Sequence, residues 1–324
     1  MTKPRFPNAT RCTILLAAFA AAATFGAPSF AADAPPANRY AATIAPAERF
    51  EVEGVLVERH GPAAKKGVRP LILIPGLVSG GWVWQDTVRA FAPNRPVYVL
   101  TLPGFDGRPA AGPTPLATAR KAVEDLIATR RLDKPIVVGH SLGGVLGLML
   151  AEEHPQLLGG VVSIDGLPVF PGTEALPPAE RARAAQAMAA QLVATPPGSS
   201  FAAQQQAYMR ARGMLDMGKA DDVAQLTSRS DPASAGRYMA DLLTLDLRPG
   251  LKNIAAPVLV VMPFFDVDGS QQGQTQDGNL GYYRSLLEGT PNLQVVPIAP
   301  ARHFVMLDQP EAVVKTLQDF IGKL

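Results

Sequence analysis

The feature that most constrains this chain is a series of short apolar runs rich in β-branched residues. They fall at 71–74 (LILI), 97–101 (VYVLT), 136–138 (IVV), 161–164 (VVSI), 258–262 (VLVVM) and 293–298 (LQVVPI). Near-continuous runs of this kind are the mark of strands buried on both faces, as in a parallel sheet covered by helices. Stretches with helical spacing separate them, at 82–92, 115–131, 142–153, 280–289 and 310–322. The alternation predicts an α/β chain with a doubly wound, mostly parallel sheet flanked by helices. Residues 50–58 (FEVEGVLVE) read as a further strand at an antiparallel edge, with 61–70 as its polar turn. The alternation breaks over 167–250, where helical patches occur without a convincing strand. That interval reads as a helical cap inserted over the strand ends, between core segments 48–166 and 251–324. Residues 32–47, rich in Ala and Pro, read as a linker.

Residues 1–31 have the layout of a secretory signal peptide. Lys3, Arg5 and Arg11 precede an apolar stretch at 13–25, and Ser29-Phe30-Ala31 offers small residues for cleavage before Ala32. The apolar stretch is short for a membrane span, so no stable anchor is expected once the leader is cut. The reading is of an exported protein, periplasmic or secreted. Without the leader's three of 30 bases, 27 bases face 28 acids, for a net charge of −1. Nothing in that balance suggests nucleic acid as a partner. The single cysteine, Cys12, lies in the leader, which excludes disulfides, thiolate nucleophiles and Cys metal sites from the mature chain.

The strongest chemical signal is Gly139-His140-Ser141-Leu142-Gly143, a G-x-S-x-G. A strand leads into it and a helix leads out, the context the motif requires. The turn holds Ser141 in a strained backbone at the strand's C-terminal end. The Leu142 amide then lies at a helix N-terminus, where a developing oxyanion is favoured.

Here the sequence resembles the α/β-hydrolase superfamily, over roughly residues 50–324. Further segments follow in the family's order. Leu73-Ile74-Pro75-Gly76-Leu77 with Trp82 and Trp84 is similar to its strand–HG–loop–W region. Leu102-Pro103-Gly104-Phe105 is similar to its turn after the next strand, and Ala301-Arg302-His303-Phe304 to its histidine loop. The resemblance implies the α/β-hydrolase fold and a serine esterase or lipase-like activity. Ser141 would be the nucleophile. The family order is Ser, acid, His, and of four histidines only His303 follows the last strand, which makes it the general base.

The resemblance implies an acid after the strand at 258–262, the one before the last. Asp266 stands there, with Asp268 and Asp165 as alternatives; Asp165 ends the earlier strand. Amides of Leu77 and Leu142 would form the oxyanion hole, although Pro75 replaces the family's usual His. Trp82 is the candidate substrate contact. The cap methionines, Met188, Met209, Met214, Met217 and Met239, either pack the cap or line an apolar acyl pocket.

The expected substrate is a small ester with an apolar acyl group. No cofactor is implied. No H-E-x-x-H or phosphate-loop pattern is present. Family members that use an Asp nucleophile are set aside by Ser141. An acyltransferase or C–C bond hydrolase would use the same triad, and a non-catalytic small-ligand binder is the rival from another class.

Overall fold

The computed structural model describes residues 37–63, 65–193 and 200–324. The leader expected over 1–31 lies outside these residues, as does the start of the linker. The first expected strand is a hairpin. β1 (Glu48–Val52) and β2 (Val55–His60) pair antiparallel, with Val52 opposite Val55. Glu53 (φ 49°) and Gly54 (φ 78°) both take left-handed backbone, the condition for a two-residue turn that matches strand twist.

The chain then alternates. β3 (Leu71–Ile74) leads through a 3₁₀ turn (Gly81–Trp84) to α1 (Gln85–Phe91). β4 (Val97–Thr101), α2 (Pro115–Thr129), β5 (Ile136–His140), α3 (Leu142–Glu153) and β6 (Gly160–Ile164) follow. After an inserted region come β7 (Val258–Pro263) and β8 (Leu293–Ile298). The eight strands form one sheet in the order β1-β2-β4-β3-β5-β6-β7-β8, with β2 antiparallel to β4 and every later pair parallel.

Side-chain alternation along buried strands divides the core in two. Ile72, Ile74, Val137, Val161 and Val260 face one layer, with Leu126 of α2 and Leu146 of α3. Leu71, Leu73, Val138, Val162 and Val261 face the other, with Val88 of α1. Strands β3 to β6 are buried at every position, as a sheet sandwiched between helical layers requires.

Between β6 and β7 the described residues hold α4 (Pro178–Val193), α5 (Phe201–Tyr208), a π turn (Met209–Gly213), α6 (Met217–Thr227) and α7 (Pro232–Thr244). Helix starts are encoded locally. Ser200, Asp216 and Asp231 each accept a hydrogen bond from a first-turn amide of α5, α6 and α7. α4 runs along α7. The link from α6 to α7 is bonded to core loops. Ser230 Oγ donates to Val78 O (3.0 Å), and Asp231 N donates to Gly104 O (2.7 Å). Gly104 is required at that contact, because a Cβ there would lie 2.3 Å from Ser234 Cβ.

α8 (Asp266–Gln271) and α9 (Gln276–Leu286) follow β7, and α10 (Val305–Asp308) and α11 (Pro310–Ile321) close the chain. The second core layer is completed by Leu317 and Phe320 of α11. The described end of the expected linker is docked rather than free. Asn38 Nδ2 donates to Asp222 O on α6 (2.7 Å), Arg39 pairs with Asp222, and Ile44 N donates to Gln85 Oε1 on α1 (2.6 Å). Among the described residues, no helix is long and apolar enough to cross a membrane.

Candidate active site

Ser141 stands between β5 and α3 with φ 50° and ψ −115°, a backbone that costs free energy and persists only where its surroundings enforce it. Ser141 N donates to Ile164 O (2.8 Å), which ties the turn to the neighbouring strand end. Glycines let the turn close: a Cβ on Gly139 would lie 2.0 Å from Gly143 O. Leu142 is the first residue of α3, so its amide has no acceptor one turn back. Leu77 N also donates no hydrogen bond among the described residues. Both residues line a cavity of about 410 Å³, together with Ser141, Asp165 and His303. Two unclaimed amides beside a serine at a helix N-terminus suit a developing oxyanion.

His303 Nδ1 lies 2.6 Å from Asp165 Oδ2. Asp165 follows β6 with φ 52°, and its own amide donates to Val261 O (2.9 Å). The other carboxylate oxygen, Oδ1, accepts from the hydroxyl of Tyr283 on α9. Burial, then the Asp165 charge, pushes the Tyr283 phenol well above its ordinary pKa, so it stays a donor. With Nδ1–H bound to Asp165, Nε2 is the basic nitrogen of His303. Ser141 and His303 line the same cavity without a direct hydrogen bond between them.

The expected acid, Asp266, therefore requires correction. It lies exposed at the first turn of α8 and makes no hydrogen bond to His303. The reason is the path of the chain after β7. Phe264 turns into the core, its amide bonded to Ile298 O and its carbonyl to Ala301 N, which carries Asp266 to the surface. Asp268 is likewise engaged elsewhere. It forms a two-bond pair with Arg302, at 2.8 Å for both contacts. Trp82 also departs from expectation. It is 4% exposed, packs in the core near Tyr40, and does not line the cavity. Among the methionines, Met209 and Met239 line the cavity, Met214 is buried in the second core layer, and Met188 and Met217 are exposed.

Contacts that no motif announces hold the histidine loop. Arg302 bonds Arg210 O (2.9 Å) and Met214 O (3.0 Å) at the two sides of the π turn, while keeping Asp268. His303 N and Phe304 N donate to Arg212 O and Gly213 O of the same turn. These carbonyls belong to the last turn of the helix, where no intrahelical donor claims them. From below, His140 Nε2 lies 2.9 Å from His303 O. Burial, and then the nearby His303, holds the His140 pKa well below its ordinary value. The imidazole is thus neutral, and Nε2–H donates to the carbonyl.

Tyr283→Phe would remove a donor from Asp165 without touching the cavity. A hydrogen bond to a charged acceptor is worth about 1.5–3 kcal/mol. We expect turnover of any substrate that uses His303 to fall by roughly tenfold or more in kcat, with KM changed little. An equal loss carried entirely in KM would contradict this geometry.

Much of the remaining wall is apolar, formed by residues such as Val145, Val169, Leu242 and Leu245. Its size is ordinary for a small-molecule site. A separate group at the surface, Glu124, Glu153 and His154, could bring three ligand atoms together. Arg120 bridges both carboxylates, and none of the three lines the cavity.

Comparison with known proteins agrees with this architecture. The model of the alpha/beta hydrolase family matches residues 71–316. A pimeloyl-[acyl-carrier protein] methyl ester esterase from Aeromonas hydrophila is 25% identical over 277 residues, covering 83% of this chain and 99% of the relative. A candidate carbamate hydrolase, RutD, from Yersinia enterocolitica is 33% identical over 125 residues, 37% of this chain and 41% of that protein, so the match spans less than half of its length. The enol-lactonase of Burkholderia xenovorans LB400 superposes with a TM-score of 0.62 at 20% identity, covering 85% of this chain and all of that one. With the family model spanning most of the sheet and the helices around it, this chain belongs to the alpha/beta hydrolase family.

Proposed function

We propose that the protein hydrolyses a carboxylic ester through Ser141, His303 and Asp165. Ser141 Oγ attacks the acyl carbon as His303 Nε2 takes its proton. The Leu142 and Leu77 amides receive the charge that develops on the carbonyl oxygen. His303 then protonates the departing alcohol, leaving an acyl-serine. Water, deprotonated by the same nitrogen, releases the acid and restores the serine. Asp165 keeps the imidazole in the tautomer these steps need and stabilises its cation.

The observation that carries this reading is the 2.6 Å contact of His303 Nδ1 with Asp165, on a cavity shared with Ser141 at its strained turn. The esterase-named relative from Aeromonas hydrophila, aligned over nearly its whole length, supports the same reaction class. The apolar walls favour a substrate with an apolar chain. The leader pattern at 1–31 supports export, which fractionation of cells would test.

Ser141→Ala should abolish hydrolysis of short 4-nitrophenyl esters, by at least about 10³-fold. A fluorophosphonate should label wild-type protein at Ser141 alone. Ester turnover surviving in the Ser141→Ala variant would reject the proposal.

A further inference from the structure

Helix α5 meets the cavity with one face. Phe201, Gln204, Gln205 and Tyr208 all line it, at the i, i+3, i+4, i+7 spacing of a single helical stripe. The stripe is unusual for an acyl pocket, because three of the four residues carry polar groups. Tyr208 lies edge-on to His303, with ring centroids 6.4 Å apart. Gln205 lies deeper. It is only 7% exposed, and its Oε1 is buried without a hydrogen-bond partner among the described residues.

That lone oxygen is informative. Buried side-chain polar atoms are nearly always paired, and an exception calls for an explanation. Other unpaired buried atoms occur here, on Trp82, Trp84 and Tyr238 in the packed core and on charged residues such as Asp106, Arg181 and Arg237, but none of these residues lines the cavity. Gln205 is the residue among them that also lines the cavity. An amide presents an acceptor at one end and two N–H donors at the other. A keto group would leave Oε1 as it is. A hydroxyl donates to the oxygen, and it can also accept from the NH₂ if the amide turns over.

We propose that the substrate is an ester whose enclosed chain carries a hydroxyl group, with the Gln205 amide as the residue that selects it. This rests on the ester-hydrolase reading above and adds a specificity determinant to it. The walls around Val145, Leu242 and Leu245 take the methylenes, and α5 supplies the polar contact. Discrimination of this kind is strong because a plain chain leaves the buried amide unpaired.

The test compares matched pairs by pH-stat. Methyl 3-hydroxyhexanoate and methyl 6-hydroxyhexanoate are each compared with methyl hexanoate, which places the hydroxyl on the acyl side. 6-Hydroxyhexyl acetate is compared with hexyl acetate, which places it on the alcohol side. In wild-type protein, at least one hydroxylated ester should exceed its plain partner in kcat/KM by about tenfold. Gln205→Leu should lower that ratio by about tenfold, and Gln205→Glu, which keeps an acceptor, should retain more of it. Gln205→Met serves if the Leu variant fails to fold, and labelling of Ser141 by a fluorophosphonate reports an intact site in each variant.

Plain esters hydrolysed at least as well as hydroxylated ones in every pair would overturn the inference while leaving ester hydrolysis standing. A ratio indifferent to both Gln205→Leu and Gln205→Met would do the same. Absence of all ester turnover together with absence of Ser141 labelling would instead remove the parent reading, and this inference with it.

Discussion

Asp165→Asn is expected to lower kcat for ester hydrolysis by about 10³–10⁴-fold, whereas Asp266→Asn should leave it within about twofold. The argument is one of tautomer and charge. His303 Nδ1 faces Asp165 Oδ2 at 2.6 Å, so an ionised carboxylate there selects Nδ1–H and leaves Nε2 basic. An Asn in the same place can turn its NH₂ toward Nδ1 and favour the opposite tautomer, with the proton on the nitrogen that must accept one. It also removes the charge that stabilises the imidazolium during both transfers. Tyr283 reinforces the arrangement by donating to Oδ1, so Asp165 has each oxygen engaged. Asp266 has no such partner and faces solvent. Rates for both variants with one 4-nitrophenyl ester, at pH 7 and 8, decide the matter. A large loss in Asp266→Asn with little in Asp165→Asn would mean that the loop after β7 reorganises to supply the acid in solution.

How much of this was legible in the sequence depended on whether the deciding contact was local. The serine turn was legible because its causes lie within a few residues. The strand, the glycines and the following helix are contiguous, and the structure has Ser141 at φ 50° between β5 and α3. His303 follows the last strand, and the structure has it on the cavity that Ser141 lines. The carboxylate that meets His303 was not legible, since an aspartate follows both β6 and β7. The choice between them turns on Tyr283, 118 residues from Asp165, and on Phe264 burying itself after β7. Trp82 looked available for substrate because nothing near it in sequence announces Tyr40 as a packing neighbour. The hairpin at Glu53-Gly54 was read as one strand because Glu is a weak signal for left-handed backbone compared with Asn or Asp. Residues 38–47 lack any periodicity, yet Asn38 and Arg39 find Asp222 on a cap helix far along the chain. Apart from the hairpin, the missed features are pairings between residues far apart in the chain, whereas the serine turn is set by local pattern.

Gly139→Ala should be strongly destabilising and should impair labelling of Ser141. The added Cβ would lie 2.0 Å from Gly143 O and 2.4 Å from Gly144 N, both backbone atoms of the first turn of α3. Such atoms cannot rotate aside as a side chain would. Relief requires α3 to move away from β5, but α3 is pinned on its other side. A Cβ on Gly143 would itself lie 2.2 Å from Ile74 O, so the helix start already touches the end of β3. Any shift also disturbs the Leu142 amide and the strained Ser141 backbone between them. Clashes of this kind belong to the tail of mutational effects, at about 4 kcal/mol or more. For a domain of this size that lowers Tm by roughly 10 °C. Gly112→Ala is the control, since nothing lies within 4 Å of a Cβ there. Thermal unfolding of the two variants beside wild type, with fluorophosphonate labelling of Ser141 as a second readout, tests the claim. Wild-type Tm and wild-type labelling rate in Gly139→Ala would show that α3 can shift without cost, and that the tight turn is not what holds the serine in its strained backbone.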